Sequence, residues 1–502
     1  MPKPFRPPKN DPVRPQLAAI QNAMNKGNHS ACLPKLVALR SSNPRDPRIA
    51  WALGTCNAGL GRHAESIEAF EAAIKLDDTS ADLRVALAYA CQRGGRYEQA
   101  LIALEQALYR RPGDFTARRL QASVLMDLAR WEKAARIVEK LLEDPKTARL
   151  QQSDRAILTI TAARLAPKHR DPALAIADLE ALVAQPSSDP ARVSTAHWHL
   201  GRLHELGGHY DRAFHHYTES NAAKLLPWDA DDHGARIDRV IECWKHGDIP
   251  SATRDGSRLI FVLGMMRSGT SLTEQMLSQL DQITPGGEMN AVSRQVAVVD
   301  PVPQGHLRPL PTTKSRYNTR IIEKMATEAW VYFDAVAREG FVTDKQPYNY
   351  LYVPLLTRLF PGCTIVHCTR DPQDTCLSNY FQSFSRPHPQ TQTLERLGRY
   401  HRDYHRAMTA FADMPGVEMI EMPYERLVAE PREYLSPVLD RIGLAWDDAI
   451  LSFHESDRTV STSSRDQVRK PLYKSSVQKH ERYAEHLGPL RAALGLDESA
   501  EG

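Results

Sequence analysis

The sequence predicts two folds in one chain: an all-α solenoid of repeated helix pairs, then an α/β domain with a parallel sheet and a phosphate-type loop after its first strand. Three observations lead there. A self-similarity of 34 residues runs through the first half. An unbroken apolar run, "RLIFVLG", opens the second half and reads as a strand buried on both faces. That run breaks through "MMRSG" into "TSLTEQMLSQL", where Leu272, Met276, Leu277 and Leu280 keep helical spacing.

The repeat is explicit. "GLGRHAESIEAFEAAIKLD", "RGGRYEQALIALEQALYRRP" and "DLARWEKAARIVEKLLEDP" superimpose with Arg62, Arg96 and Arg130 in register, each followed by an aromatic or histidine ring. The period is that of the tetratricopeptide repeat. Ser66, Ala100 and Ala134 fall where paired helices must approach closely, Phe70, Leu104 and Val138 fill the next layer, and Pro112 and Pro145 end their helices. Gly27 and His29 step back one period, and "HWHLGRLHELGGHYDRAFHHY" closes the array. About six helix pairs are expected over residues 13–227. Such a stack presents a concave face to a peptide or protein partner. The six histidines between His197 and His216 point different ways around their helices, which favours packed or solvated surface over a metal site. Residues 228–257 read as a bridging helix and polar linker, and the second domain spans 258–490.

Composition sets the outer limits. With 502 residues, 42% hydrophobic and 25% charged, the chain has room for two or three cored domains. A net charge of +3 is too small to argue for nucleic acid, so any anion site must come from local clusters of Arg and Lys. "MPKPFRPPKNDPVRP" contains no apolar leader core, and no run approaches the roughly 20 apolar residues of a membrane span. The expectation is a cytoplasmic enzyme. Seven scattered cysteines without C-x-x-C spacing read as buried free thiols.

The loop after the first strand fits G-x-x-x-x-G-K-[ST] from Gly264 to Ser271, except that Thr270 stands where the lysine belongs. Backbone amides at the helix start and the hydroxyls of Ser268, Thr270 and Ser271 suit anionic oxygens, with Gly269 allowing the turn and Arg267 supplying a cation. Without the lysine, a nucleoside triphosphate with magnesium is disfavoured. A second anion signal lies in "CTIVHCTRDPQDTCLSNYFQSF". Arg370 ends an apolar strand, Asp371 caps a helix with Pro372 at its first position, and Ser378 follows about two turns later. Arg370 and Ser378 can converge on one phosphate. The competing reading is a surface Arg370–Asp374 pair, which would contribute little.

Two anion sites at strand ends suggest a nucleotide with phosphates at both ends. From about Arg258 to Leu490 the chain resembles the sulfotransferases that use 3′-phosphoadenosine-5′-phosphosulfate (PAPS), most closely the tyrosylprotein sulfotransferases and the bacterial type fused to tetratricopeptide repeats. "GMMRSGTSL" resembles the family's 5′-phosphosulfate loop, with Met266 where proline is more usual. "RDPQDTCLSNY" resembles its 3′-phosphate element, which carries that role onto Arg370 and Ser378. "PYERL" places Tyr424 near the nucleotide, and "SRDQVRKPLYKSSVQKHERY" resembles the loop that folds over the donor, placing Ser464 and Lys479 at matching positions. Gln382 departs from the pattern, standing where tyrosylprotein enzymes have a further arginine.

The resemblance implies a three-layer, P-loop-like domain that moves a sulfuryl group from PAPS to a hydroxyl. Such a transfer is in-line and loose, spreading negative charge that cations must meet. Lys345 in "VTDKQPYNYL" matches the family's catalytic lysine, and Arg267 is the loop's own cation. Glu288 in "TPGGEMNAV" aligns with the general base of the tyrosylprotein enzymes; a carboxylate is a weak base for a phenol, so it must act together with Lys345 and Arg267. The competing role for Glu288 is a cap on the following helix. His367 reads as packed inside its strand, and His388 on its proline-rich loop as at most a substrate contact. No metal is required. The acceptor stays open between protein tyrosine and a glycan, lipid or small metabolite. A P-loop hydrolase and a repeat scaffold with an inactive nucleotide-binding domain are the readings outside this class.

Overall fold

The computed structural model describes residues 11–185, 189–246, 248–302, 308–384, 388–455 and 477–496. The chain divides into two compact units, Met1–Leu203 and His204–Gly502.

In the first unit the helices come in consecutive pairs: α1 (Val13–Asn25) with α2 (His29–Ser42), α3 (Pro47–Gly59) with α4 (His63–Leu76), α5 (Ala81–Arg93) with α6 (Tyr97–Arg110), α7 (Phe115–Asp127) with α8 (Trp131–Glu143), and α9 (Gln152–Ala163) with α10 (Pro172–Val183). Helix α11 (Pro190–Leu206) begins the sixth pair and crosses the division. Local chemistry repeats with the sequence. The side chains of Asp46, Ser80 and Asp114, 34 residues apart, accept from the backbone N–H of Arg48, Leu83 and Ala117 and so start α3, α5 and α7. Ser66, Ala100 and Ala134 are fully buried, as their small size requires. Close approach is literal at Gly54, where a Cβ would lie 2.7 Å from the Phe70 ring. The turn inside each of the first four pairs uses a left-handed residue: Gly27, Gly61 and Gly95 take φ of 82°, 71° and 74°, and the fourth copy places Ala129 at φ 58°.

The second unit opens with α12 (Tyr210–Ala222) and α13 (Ala230–Trp244), the latter capped by Asp229. It continues through β1 (Leu259–Gly264), α14 (Thr270–Leu277), β2 (Ile283–Pro285), α15 (Ala291–Val299), α16 (Thr319–Val336), β3 (Phe341–Asp344), α17 (Val353–Leu359), β4 (Thr364–Thr369), α18 (Pro372–Tyr380), α19 (Leu394–Ala412), β5 (Ile420–Pro423), α20 (Tyr424–Ala429), α21 (Pro431–Arg441) and α22 (Gly488–Leu494). The five strands are parallel in the order β2-β3-β1-β4-β5. All six residues of β1 are buried, as its unbroken apolar run predicts. Ile260 and Val262 pack with α14 and α21 on one face, while Phe261 meets Phe333 of α16 and Phe360 on the other. The chain moves to one side of β1 through β2 and β3 and to the other through β4 and β5. The crevice at the carboxyl ends of β1 and β4 is therefore the topological switch point, where open parallel sheets bind ligands.

Helix α12, counted by sequence as the last of the repeats, packs inside this second unit. Tyr217 stacks on Phe381 at 4.1 Å between ring centroids, Phe214 stacks on His486 at 4.3 Å, and Asn221 Nδ2 donates to the carbonyl of Tyr380 at 2.9 Å. The seven cysteines are buried free thiols. Burial pushes the thiols of Cys363 and Cys368 up to about 12, which keeps them protonated and unreactive.

Candidate functional site

The loop between β1 and α14 holds its shape through three left-handed residues. Gly264, Arg267 and Gly269 have φ of 146°, 70° and 108°. At Gly269 a Cβ would come within 2.9 Å of the Tyr424 ring, so the backbone lies directly against that ring. Left-handed φ at a non-glycine residue is uncommon and collects at ligand-gripping turns. Gly269 caps α14, whose first-turn amides point out of the helix toward the crevice side of the sheet. Ser268 is buried, and its Oγ has no hydrogen-bond partner among the described residues. A buried hydroxyl in a glycine-flanked loop suits an anionic oxygen as its partner.

Arg370 directly follows β4 and reaches the same loop. Its Nη1 lies 3.4 Å from the carbonyl of Arg267, and its guanidinium sits 4.8 Å from the centre of the Tyr424 ring. Arg267 Nε donates to Ser378 Oγ at 3.0 Å. The fold therefore gathers Arg267, Arg370, Ser378 and Tyr424 from four segments more than a hundred residues apart in places. Asp371 caps α18 with Pro372 at its first position, and Asp371 Oδ1 accepts from the Asp374 amide at 2.8 Å. The Arg370–Asp374 contact, a surface pair on the competing reading, is buried: the side chains are 7% and 0% exposed.

The second cluster lies at the end of β3. Lys345 Nζ donates to Glu288 Oε1 at 2.9 Å, with the lysine side chain 1% exposed and the glutamate 46% exposed. The glutamate thus faces solvent while its partner is sunk in the domain. Four backbone contacts fix this arrangement. The Gly286 amide donates to the Thr343 carbonyl at 3.0 Å, Gly287 to Glu274 Oε1 at 3.1 Å, Met289 to Asp344 Oδ1 at 3.2 Å, and Lys345 to the Gly287 carbonyl at 2.8 Å. Helix α15 takes Asn290 as its N-cap residue, so Glu288 pairs with Lys345 rather than capping it.

Two buried acids support this pair, and neither stood out in the sequence. Glu274 on α14 also accepts from Thr343 Oγ1 at 2.7 Å; burial pushes its carboxyl up, and Lys345 pulls it back. Asp344 accepts from Asn349 Nδ2 at 3.0 Å, and burial pushes its carboxyl up to about 7. The one available signal was the position of Asp344, an acid ending an apolar strand directly before Lys345. Glu274 ties the phosphate-type helix to the glutamate loop, so the two clusters share one scaffold.

His367 is packed, as expected: its ring nitrogens meet Glu421 at 2.8 Å and the Tyr404 hydroxyl at 2.6 Å. His388 contacts the Tyr348 hydroxyl at 2.9 Å, and Arg308 lies over the Tyr348 ring at 3.1 Å. Burial pushes the Tyr348 phenol up, and the Arg308 charge beside it opposes the shift. Lys479 pairs with Glu205 and lies 5.2 Å from the centre of the Phe381 ring, one turn beyond Ser378. Gln382 follows that ring and donates to the carbonyl of Ser383 at 3.3 Å. Ser464 lies outside the described residues.

Known proteins bear on this geometry directly. Residues 259–448, which span the sheet and both clusters, match the model of the sulfotransferase family, and residues 17–81, 57–124 and 160–222 match tetratricopeptide repeat models. The chain carries a sulfotransferase-family domain and tetratricopeptide repeats. An uncharacterized protein of Aquifex aeolicus (strain VF5) is 30% identical over 62% of this chain and 43% of its own length, so the chain spans less than half of that relative. Protein-tyrosine sulfotransferase 2 of Gallus gallus is 22% identical over 48% of this chain and 69% of its own length. Among solved structures, the sulfotransferase domain from the curacin biosynthetic pathway is 15% identical, covers 46% of this chain and 90% of its own, and superposes with a TM-score of 0.30. In the sulfotransferase domain the loop, Arg370 and the Glu288–Lys345 pair all lie within the matched segment. No helix among the described residues is long and apolar enough to cross a membrane.

Proposed function

We propose that the sulfotransferase domain transfers a sulfuryl group from PAPS to a hydroxyl acceptor, with protein tyrosine as the acceptor. One observation carries the reading: a half-exposed Glu288 is hydrogen-bonded to a fully buried Lys345 beside a phosphate-type loop that lacks the nucleotide-hydrolase lysine. The residues suit the donor. Ser268, Gly269, Thr270 and Ser271 with the α14 amides would hold the 5′ end, and Arg370, Ser378 and Arg267 the 3′-phosphate, beside Tyr424. The donor supplies an activated sulfuryl group on a good leaving group.

Glu288 takes the proton from the acceptor hydroxyl as its oxygen bonds to sulfur and the bond from sulfur to the phosphate oxygen breaks. The product is a sulfate ester, and 3′,5′-adenosine bisphosphate leaves. Lys345 gives up part of its contact to Glu288 and places its charge where negative charge grows on the sulfuryl and leaving oxygens. A sulfuryl group bears less charge than a phosphoryl group, so these cations suffice on this reading without a metal. Arg267, grouped by sequence with the catalytic pair, is oriented by Ser378 and serves the donor phosphates. Relatives named protein-tyrosine sulfotransferases support a tyrosine acceptor. In the repeats, Trp51 of α3 and Tyr89 of α5 are exposed large rings, and we assign a peptide partner to that helix layer.

The test uses the full chain with labelled PAPS and a tyrosine-containing peptide pool alongside lipid, glycan and metabolite extracts. Protease-sensitive label lost in Lys345→Ala supports the reading. Label found only in organic-extractable material moves the acceptor to a lipid or metabolite, and no label in any pool refutes the transfer.

A further inference from the structure

We infer that Asp374 is a positioning residue of the 3′-phosphate anchor, holding Arg370 and His480 on one buried carboxylate. The inference rests on the donor reading above. Asp374 sits in the first turn of α18 with its side chain 0% exposed. Its Oδ2 lies 3.4 Å from Arg370 Nη2. Its Oδ1 accepts from the His480 amide at 2.8 Å and meets His480 Nδ1 at 3.0 Å. A carboxylate costs several kcal/mol to bury without partners, so three donors on one Asp374 side chain mark an arrangement the fold builds around.

Arg370 is otherwise a long, flexible side chain at a strand tip. Asp374 on one side, the Arg267 carbonyl at 3.4 Å and the Tyr424 ring at 4.8 Å fix the plane of its guanidinium. A guanidinium has five N–H donors, so these contacts are compatible with a phosphate as a further partner. The same carboxylate draws in a segment 106 residues away. His480 lies against the start of α18, and the neighbouring Lys479 is held at the Phe381 ring by Glu205. Asp374 thereby couples the strand-end cation to the C-terminal segment: both must be in place for the 3′ side of the site to be complete.

One alternative uses the same atoms. Asp371, Asp374 and His480 bring one ligand atom each within 4.8 Å of one another, the spacing of a metal site. The Arg370 guanidinium beside Asp374 opposes a cation there, which favours the positioning role.

The experiment is titration calorimetry on the full chain with adenosine 3′,5′-bisphosphate and adenosine 5′-monophosphate, in wild type, Asp374→Asn, His480→Gln and Arg370→Ala. Asp374→Asn is expected to weaken bisphosphate binding at least about tenfold while leaving the monophosphate within about twofold, the loss of a charge-assisted contact confined to the 3′ end. His480→Gln should cut the same discrimination severalfold, and it decides the matter if Asp374→Asn does not fold. Equal weakening of both ligands, or unchanged discrimination in His480→Gln, would overturn the inference, as would bisphosphate binding that requires magnesium or manganese. Failure of Arg370→Ala to alter discrimination would instead refute the donor reading itself.

Discussion

Replacing Asp344 by Asn should change how the stability of the sulfotransferase domain depends on pH. An ordinary aspartate titrates near 3.8, whereas burial at the end of β3 pushes the Asp344 carboxyl up to about 7. Below about pH 4 the group is protonated in both the folded and unfolded chain and contributes no difference. As pH rises from about 4 to 7 the unfolded chain releases the proton while the folded chain retains it, so stability falls over that window and levels off above about 7. A gap of about three pH units at about 1.4 kcal/mol each makes the loss ~4 kcal/mol at most. Asn keeps the shape, and its Oδ1 can still accept from the Met289 amide. Its Nδ2 can donate to the Asn349 side-chain oxygen once that amide turns over. The variant should therefore match wild type near about pH 3.5 and exceed it by up to ~4 kcal/mol at pH 8. Burial is the main cause of the Asp344 shift, and the nearby Glu274 carboxylate adds to it in the same direction. The assay is hydrogen exchange of the full chain, with opening free energies of the 341–344 segment taken at pH 5, 6.5 and 8 after correction for intrinsic rates. A difference between variant and wild type that stays constant across those three values would refute the reasoning.

Ala129 takes the left-handed turn that glycine fills in the neighbouring repeats, so Ala129→Gly should stabilise the first unit by about 1 kcal/mol in urea unfolding; a destabilised variant would show that the turn is not strained. On the proposed role of Glu288 as the base at the acceptor, Glu288→Gln should lower sulfuryl-transfer turnover by about 10²–10⁴ while bisphosphate affinity stays within about twofold. Comparable losses in both would mean that Glu288 holds the site together instead of moving a proton.

Local chemistry made much of this legible in sequence. The 34-residue period, the fully apolar β1 and the glycines of the loop each impose their structure within a few turns of chain. Asp371 followed by Pro372 starts α18 by capping alone. Glu288 and Lys345 were named through resemblance, and the fold joins them because the Gly286–Met289 backbone is tied to β3 and to Glu274. A surface Arg370–Asp374 pair stays open as a competing reading of the sequence, because four-residue spacing says nothing about burial. The chain that covers it arrives 106 residues later, with His480.

The sequence by itself determined the repeat helices, the buried strand β1 and the glycine-flanked loop into α14, since these follow from interactions between near neighbours. Only the tertiary structure decided that α12 packs inside the second unit and that Lys479 answers to Glu205. It alone decided that Asp344, Glu274 and Asp374 are buried carboxylates. The cost of burying a charge, and the partners that offset it, depend on what the rest of the chain brings to that point in space.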